Sequence, residues 1–445
     1  MDRAGLPDPA RQGTSAAVLH PRGAGCSASQ PHRLEEGRTQ LTQRLPEPAT
    51  PPVFSEQELD GRCRRLQERL RDRGIDAAVL SQSRAVLYYG GIAVHGQVLV
   101  PAASTSQFLV QIDEVRAAEV SALPVVPSRG LGTLVQTLTE LGLEAGCLGV
   151  EKDSVTVAWY ERFSNRLPRA TLVDVGADVL ELRTLKSDAE VEVLRRAAAI
   201  SDQMFVRLRE IAVPGVTEIE LHQEVVGLQR RLGGDGLMSK HGVNDRTVEP
   251  AWLATGPNTT QVSGYWLTMS GPGPSVGRPY GPTRRRLERG DLICLDVGTS
   301  VAGYHSDSAR TYVLGPADQR QRAAWSALQV MQDAAVAELV PGRPVSAAYE
   351  AALAVARDLG VEEHFMTRAL YDFPYVGHGV GVEIDEPPLL SPRDPSVIAA
   401  GMVLAVEPKL IDPGWGGLTV EDTVLVTDQG PVRLTRADRE LEIPI

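Results

Sequence analysis

The sequence predicts a mixed α/β (α+β) fold of two ordered domains, 54–180 and 181–445, behind a disordered tail over residues 1–53. Three observations carry this. Short apolar runs alternate with helical segments as far as about Leu180, which sets strands and helices in turn. A long amphipathic stretch follows at 188–211, with Val191, Val193, Leu194, Ala197, Ala198 and Ile200 on one face. From about 250 to 440 the chain returns to strand-like runs around two further helical stretches, 320–339 and 345–359.

The tail is rich in Pro, Gly, Ser, Arg and Gln and has no sustained periodicity, so it cannot bury a core. It lacks the continuous apolar run of a secretory signal, although its Arg-rich, acid-poor character leaves a targeting role open. Order begins with a helix over 55–73, whose Leu59, Leu66 and Leu70 share a face; Ser55 with Glu58 reads as a capping box. Strands are expected at 76–80, at 86–89 (Val-Leu-Tyr-Tyr) and at 98–100. Residues 181–187 read as the linker between the domains. Pro214 and Gly215 end the long helix, and Thr217 with Glu220 caps the next. No short-period repeat is visible, as expected of a divergent internal duplication rather than a solenoid.

Composition sets outer bounds. A chain of 445 residues suits two to three domains with substantial cores. The net charge of −12 argues against nucleic-acid binding as the main role. No apolar run is long enough to span a membrane. Cys26, Cys63, Cys147 and Cys294 are scattered and form no CxxC pair, which suits free thiols in a reducing cytoplasm.

The chemistry lies in the last third. Asp296, Asp307, His378, Glu407 and Glu421 occur in that order, most of them beside apolar runs. Asp296 ends the run Leu292 to Leu295, and Asp307 returns eleven residues later past the turn signal Ala302-Gly303. A strand, turn and strand would bring both carboxylates to one face. His378 sits among Gly377, Gly379 and Gly381, whose missing Cβ atoms permit close backbone approach to a ligand or metal. Glu407 closes the run Met402 to Val406, and Glu421 reads as part of a strand over 418–424. Converging buried carboxylates repel unless a cation joins them. A pair of divalent ions resolves such a cluster, and an oxygen-rich set with one imidazole suits Mn, Co, Zn or Fe.

These segments resemble the pita-bread metallohydrolases, the family of methionine aminopeptidase, aminopeptidase P, prolidase, creatinase and ectoine hydrolase. The resemblance spans roughly residues 55–440. It rests on Gly290-Asp291-Leu292 through Gly298, Ser306-Asp307 through Thr311, Gly377-His378-Gly379-Val380-Gly381, Gly401-Met402 through Glu407-Pro408, and Val420-Glu421-Asp422-Thr423. It implies a small creatinase-like N-terminal α/β domain and a C-terminal pita-bread catalytic domain of two similar halves. It also implies two metal ions on Asp296, Asp307, His378, Glu407 and Glu421, and a homodimer. The retained ligand set argues against the metal-independent route of creatinase.

Two departures from the peptidase pattern stand out. Asp385, seven residues after His378, occupies the place of a substrate-contacting histidine. The segment 259–282, after Gly256-Pro257-Asn258, lacks a further family histidine and carries Tyr265, Trp266 and Tyr280. An ionised aspartate cannot donate to a developing oxyanion. Asp385 either holds a proton raised on it by neighbouring carboxylates, pairs with a cationic substrate, or pairs with a structural arginine. His305 and His241 are candidates to replace the missing histidines, His305 for catalysis and His241, with Tyr304, for substrate binding. Arg310 is read as structural.

The expected reaction is hydrolysis of a C–N bond in a short peptide or small-molecule substrate, Xaa-Pro peptidase-like or of a small non-peptide amide. Divalent ions lower the pKa of water toward neutrality, and Glu407 handles the proton. The pocket is expected from 239–285 and 371–376, with a neighbouring subunit as a further candidate contributor. Two other classes are open: an iron-dependent oxidative enzyme, marked by strict oxygen dependence, and a non-catalytic binding protein, marked by binding that survives loss of the ligand acids. No membrane or nucleic-acid partner is expected.

Overall fold

The computed structural model describes residues 54–242, 246–262, 268–366, 368, 371 and 374–445, and the expected tail lies outside them. These residues fall in one compact unit, Pro48–Ile445.

The N-terminal part runs α1 (Glu56–Asp72), β1 (Ala77–Leu80), α2 (Ser83–Gly90), β2 (Gly96–Pro101), β3 (Gln107–Val110), α3 (Glu114–Val120), β4 (Val125–Pro127), α4 (Leu131–Glu140), β5 (Cys147–Val150), α5 (Val157–Arg166), β6 (Thr171–Asp174) and α6 (Gly176–Thr184). Its six strands form one mixed sheet in the order β4-β3-β2-β1-β5-β6. α1 forms because Leu59, Leu66 and Leu70 share a buried face and Ser55 caps its start. The capping box is only half made. Glu58 turns away to bond Arg62 at 3.0 Å and Ser187 Oγ at 3.0 Å, tying α1 to the start of the next domain's first helix.

Val86 to Tyr89, expected as a strand, lies in α2. Local capping outweighs the β-propensity of Val-Leu-Tyr-Tyr: the Gln82 side chain accepts from the amides of Arg84 and Ala85, and Gly91 closes the helix at φ 83°. The stretch 181–187 is not a free linker either. It is helical to Thr184, and the buried Arg183 and Lys186 pair with Glu383 and Glu386 of the second domain.

The second part begins with α7 (Asp188–Ile211) and α8 (Glu218–Arg231), both started by complete capping boxes, Ser187 with Glu190 and Thr217 with Glu220. There follow β7 (Met238–Lys240), β8 (Arg246–Val248), β9 (Ala251–Thr255), β10 (Leu292–Val301), β11 (Tyr304–Leu314), α9 (Gln319–Ala337), α10 (Ser346–Asp358), β12 (Gly377–Gly379), β13 (Glu386–Leu389), β14 (Val403–Val406), β15 (Lys409–Asp412), β16 (Gly416–Thr419), β17 (Asp422–Thr427), β18 (Gly430–Arg433) and β19 (Glu442–Ile443). Two larger sheets result, β19-β11-β10-β9 and β13-β12-β14-β17-β18, beside the two-stranded pairs β7-β8 and β15-β16. α7 packs on β10 and β11, while α9, paired with α10, packs on β14. The repeated helix-pair-and-sheet arrangement is the pair of similar halves anticipated. Among the described residues, no helix is long and apolar enough to cross a membrane.

Candidate metal centre

Each half supplies one diagonal pair of polar side chains. In the β10–β11 hairpin, Asp296 stands opposite Ala309 and Asp307 opposite Gly298, so both carboxylates share a face, two positions apart. Asp296 lies mid-strand rather than at a strand end, because β10 continues to Val301. In the other half His378 stands opposite Ala405, and the Glu407 amide bonds Val376 O at 2.9 Å, which gives His378 and Glu407 the same offset. Glu421 joins the halves. It lies between β16 and β17 rather than inside a strand, and exchanges backbone hydrogen bonds with Ala309. Asp296, Ala309 and Glu421 thus form one row, and the small alanine leaves the two carboxylates open to each other.

The glycines around His378 answer to protein rather than ligand. A Cβ on Gly377 would lie 2.0 Å from Ala405 O, and one on Gly379 2.4 Å from Pro387 O. Close packing of β12 between its neighbours therefore requires them.

The five side chains line a cavity of about 270 Å³ with Lys240, Thr268, Asp385 and the apolar Met238, Trp252, Tyr375, Ile384 and Leu389. Ligand atoms of Asp307, His378 and Glu421 lie within 4.8 Å of one another. His378 Nδ1 bonds Gly379 O at 3.0 Å, which turns Nε2 toward Glu407 at 3.5 Å and Asp307 at 3.8 Å. Burial raises the pKa of Asp307 and Glu421 well above the ordinary carboxylate range, and neighbouring carboxylates add to the rise. Asp296 is raised chiefly by burial, against the pull of Lys409 and a hydrogen bond from Thr268. Glu421 Oε1 is buried with no hydrogen-bond partner. A buried carboxylate oxygen without a donor, among other carboxylates and an oriented imidazole, fits a divalent cation.

Two cationic side chains here were not anticipated. Lys409 is fully buried, pairs with Glu407 and lies over the Tyr375 ring at 5.8 Å. Its signal was available, as a lysine directly after Glu407-Pro408 inside an otherwise apolar stretch. Lys240 pairs with Asp385. Among the described residues Asp385 pairs with Lys240 rather than with an arginine; burial opposes its ionisation, but His378, with Asp385 Oδ1 3.4 Å from its Nε2, and Lys240 hold its pKa below the ordinary value.

The other candidate residues stand outside the cavity. Tyr304 is buried, its hydroxyl donating to Glu190 at 2.9 Å. His305 is a satisfied core histidine: Ser239 N donates to its Nε2 at 3.0 Å, its Nδ1 bonds Gly381 O at 3.0 Å, and burial lowers its pKa to about 4. A catalytic role for His305 and a substrate role for Tyr304 have no geometric support. His241 spans the domains between Asp153 (2.9 Å) and Glu383 (3.1 Å). Arg310 is structural, bonding Asp422 and the Glu421 carbonyl at 2.7 Å each. Of the expected pocket stretches, 243–245, 263–267 and 372–373 lie outside the described residues.

The His241 bridge carries a pH prediction. Hydrogen bonds that it donates to the carboxylates of Asp153 and Glu383 raise its pKa from 6.5 to about 10. A raised histidine pKa stabilises the fold fully below the unfolded value and loses that contribution as pH climbs through the folded one. Melting temperature should thus fall between about pH 6.5 and 10 by an increment that His241→Gln abolishes. Parallel curves for the two proteins across that window would refute it.

Comparison with known proteins agrees with this geometry. Residues 192–428 match metallopeptidase family M24, and residues 62–185 match the creatinase/prolidase N-terminal domain. An Xaa-Pro dipeptidase of Pyrococcus furiosus is 27% identical over 85% of this chain and 99% of its own length. A probable dipeptidase PepE of Mycobacterium tuberculosis is 30% identical over 67% of this chain and 72% of its own. The solved structure of an Xaa-Pro dipeptidase from Bacillus anthracis superposes with a TM-score of 0.75 at 25% identity, covering 86% of this chain and 99% of that one. With its matching domains, its pita-bread fold and its cluster of acids around His378, the chain belongs to metallopeptidase family M24 and is a hydrolase of the pita-bread class.

Proposed function

We propose that the protein hydrolyses the C–N bond of an Xaa-Pro dipeptide or a similar small amide, with two divalent metal ions held by Asp296, Asp307, His378, Glu407 and Glu421. The partnerless Oε1 of Glu421, inside a ring of carboxylates, carries this reading. Bound divalent ions supply Lewis acidity and a water molecule of lowered pKa. Glu407 is the proton-handling group, its carboxylate held in place by Lys409. Asp385, which stands at the position of the peptidase histidine, is held as the anion and orients Lys240, whose ammonium is a donor on the cavity wall. Met238, Trp252 and Ile384 form an apolar wall suited to a compact ring such as proline. The enzyme acts as a homodimer in the cytoplasm.

Elemental mass spectrometry of protein purified without added metal or chelator comes first. About two equivalents of Mn, Co or Zn per chain support the reading. Predominantly iron with oxygen-dependent turnover favours an oxidative enzyme, and no metal after reconstitution overturns both. Gly-Pro and longer Xaa-Pro peptides are then assayed with metal supplied. Failure of the wild type on all of them, with activity gained on Asp385→His, would remove the peptidase part of the proposal and leave the small amide.

A further inference from the structure

We infer that Asp385 is itself a metal ligand, a carboxylate arm on the ion bound by His378, in addition to Asp296, Asp307, Glu407 and Glu421. The inference rests on the metal-hydrolase reading and deepens it. It gives a task of its own to the residue that stands where the peptidase pattern has a histidine contacting substrate.

The geometry starts at His378. Its Nδ1 is taken by Gly379 O, and carboxylate oxygens stand around its Nε2: Asp385 Oδ1 at 3.4 Å, Glu407 Oε1 at 3.5 Å and Asp307 Oδ2 at 3.8 Å. Asp385 is thus nearer to the imidazole than either ligand anticipated from the sequence. A separation of 3.4 Å is longer than an ordinary N–H···O bond of about 2.7–3.2 Å. It matches two donors on one tetrahedral ion, which at about 2.1 Å from the metal stand about 3.4 Å apart.

The local chain aims this one acid at the metal cavity, which it lines. Asp385 lies between Glu383 and Glu386, both buried and both committed to the domain interface, Glu383 through Arg183 and Glu386 through Arg183 and Lys186. The Ile384 amide donates to Ser239 O at 2.8 Å, and the Ile384 side chain packs with Met238 and Trp252, which fixes the segment against β7. The two carboxylate oxygens of Asp385 then face different partners. Oδ2 pairs with Lys240 at the end of β7, while Oδ1 faces His378 Nε2. A carboxylate held by one oxygen and offering the other is a preorganised ligand, with Lys240 as its outer support. Another anionic oxygen beside a single imidazole favours a hard ion such as Mn over Zn.

Calorimetric titration of the chelator-stripped full chain with Mn, and titration with Co followed by visible absorption, test it on the wild type, Asp385→Ala and Lys240→Met. Both variants break the Lys240–Asp385 ion pair, but only Asp385→Ala removes the ligand. It also takes one like charge out of the acidic ring, so the metal-free fold is kept. The expected result is Mn binding at least about tenfold weaker in Asp385→Ala, with an altered Co absorption band. Lys240→Met should keep the wild-type band and bind Mn no more weakly than the wild type. Affinity of Asp385→Ala within tenfold of the wild type, an unaltered band, or an equal loss in Lys240→Met would each overturn the inference and leave Asp385 only as the partner of Lys240. Absence of metal binding in the wild type would instead remove the hydrolase reading, and this inference with it.

Discussion

Asp307→Asn should make the metal-free protein more stable and the metal-supplied protein less so. Asp307 is 8% exposed, and the carboxylates of Glu421, Asp296 and Asp385 act on it together. Asparagine keeps the shape and removes one like charge. A charge pair at about 4 Å is worth roughly 1–4 kcal/mol between fully solvated and surface-like surroundings, so the chelated variant should gain about that much in urea unfolding. With Mn or Co present the order reverses. Loss of a residue that merely supports a ligand weakens metal binding about 10–100-fold, so loss of a ligand carboxylate should exceed that range. A variant less stable than wild type in chelator, yet equally stabilised by metal, would show that Asp307 pairs with something other than a cation.

Lys409→Met should cost the metal-free protein about 3–5 kcal/mol, the penalty for stripping one partner from a buried ion pair. Methionine preserves the length and apolar stem of the side chain, so packing under Tyr375 survives and the loss reports on Glu407 left alone. Divalent metal should restore part of that stability, because a cation beside Glu407 replaces the ammonium. The readout is the difference in urea midpoint between chelated and metal-supplied samples, which should be larger for Lys409→Met than for wild type. Equal differences would place Lys409 outside the electrostatics of the metal centre. Together the two variants separate excess negative charge, relieved by Asp307→Asn, from the built-in counter-charge removed by Lys409→Met.

Much of this site was legible before any coordinates. Residues delivered by regular elements were readable because period and register are local. The apolar run before Asp296 and the Ala302-Gly303 turn set a hairpin, and a hairpin's register fixes that Asp296 and Asp307 share a face. The capping boxes at Ser187 and Thr217 were likewise visible, since donor and acceptor are three residues apart. Where local signals competed, propensity misled: Val86 to Tyr89 suits a strand, but Gln82 and Gly91 close the segment into a helix.

The set of metal-ligand candidates, the order of domains and the two departures at Asp385 and 259–282 belong to the sequence, because each depends on residue identity at short range. The partners of Asp385 and Glu407, the dismissal of Tyr304 and His305, and the His241 bridge do not. Lys240 lies 145 positions from Asp385, and Gln82 meets Glu383 301 positions away, separations at which no periodicity constrains which charges meet. Burial decides the rest. The same imidazole is a satisfied core group at His305 and faces an acidic cavity at His378, because the fold hands one a backbone amide and carbonyl and the other a ring of carboxylates.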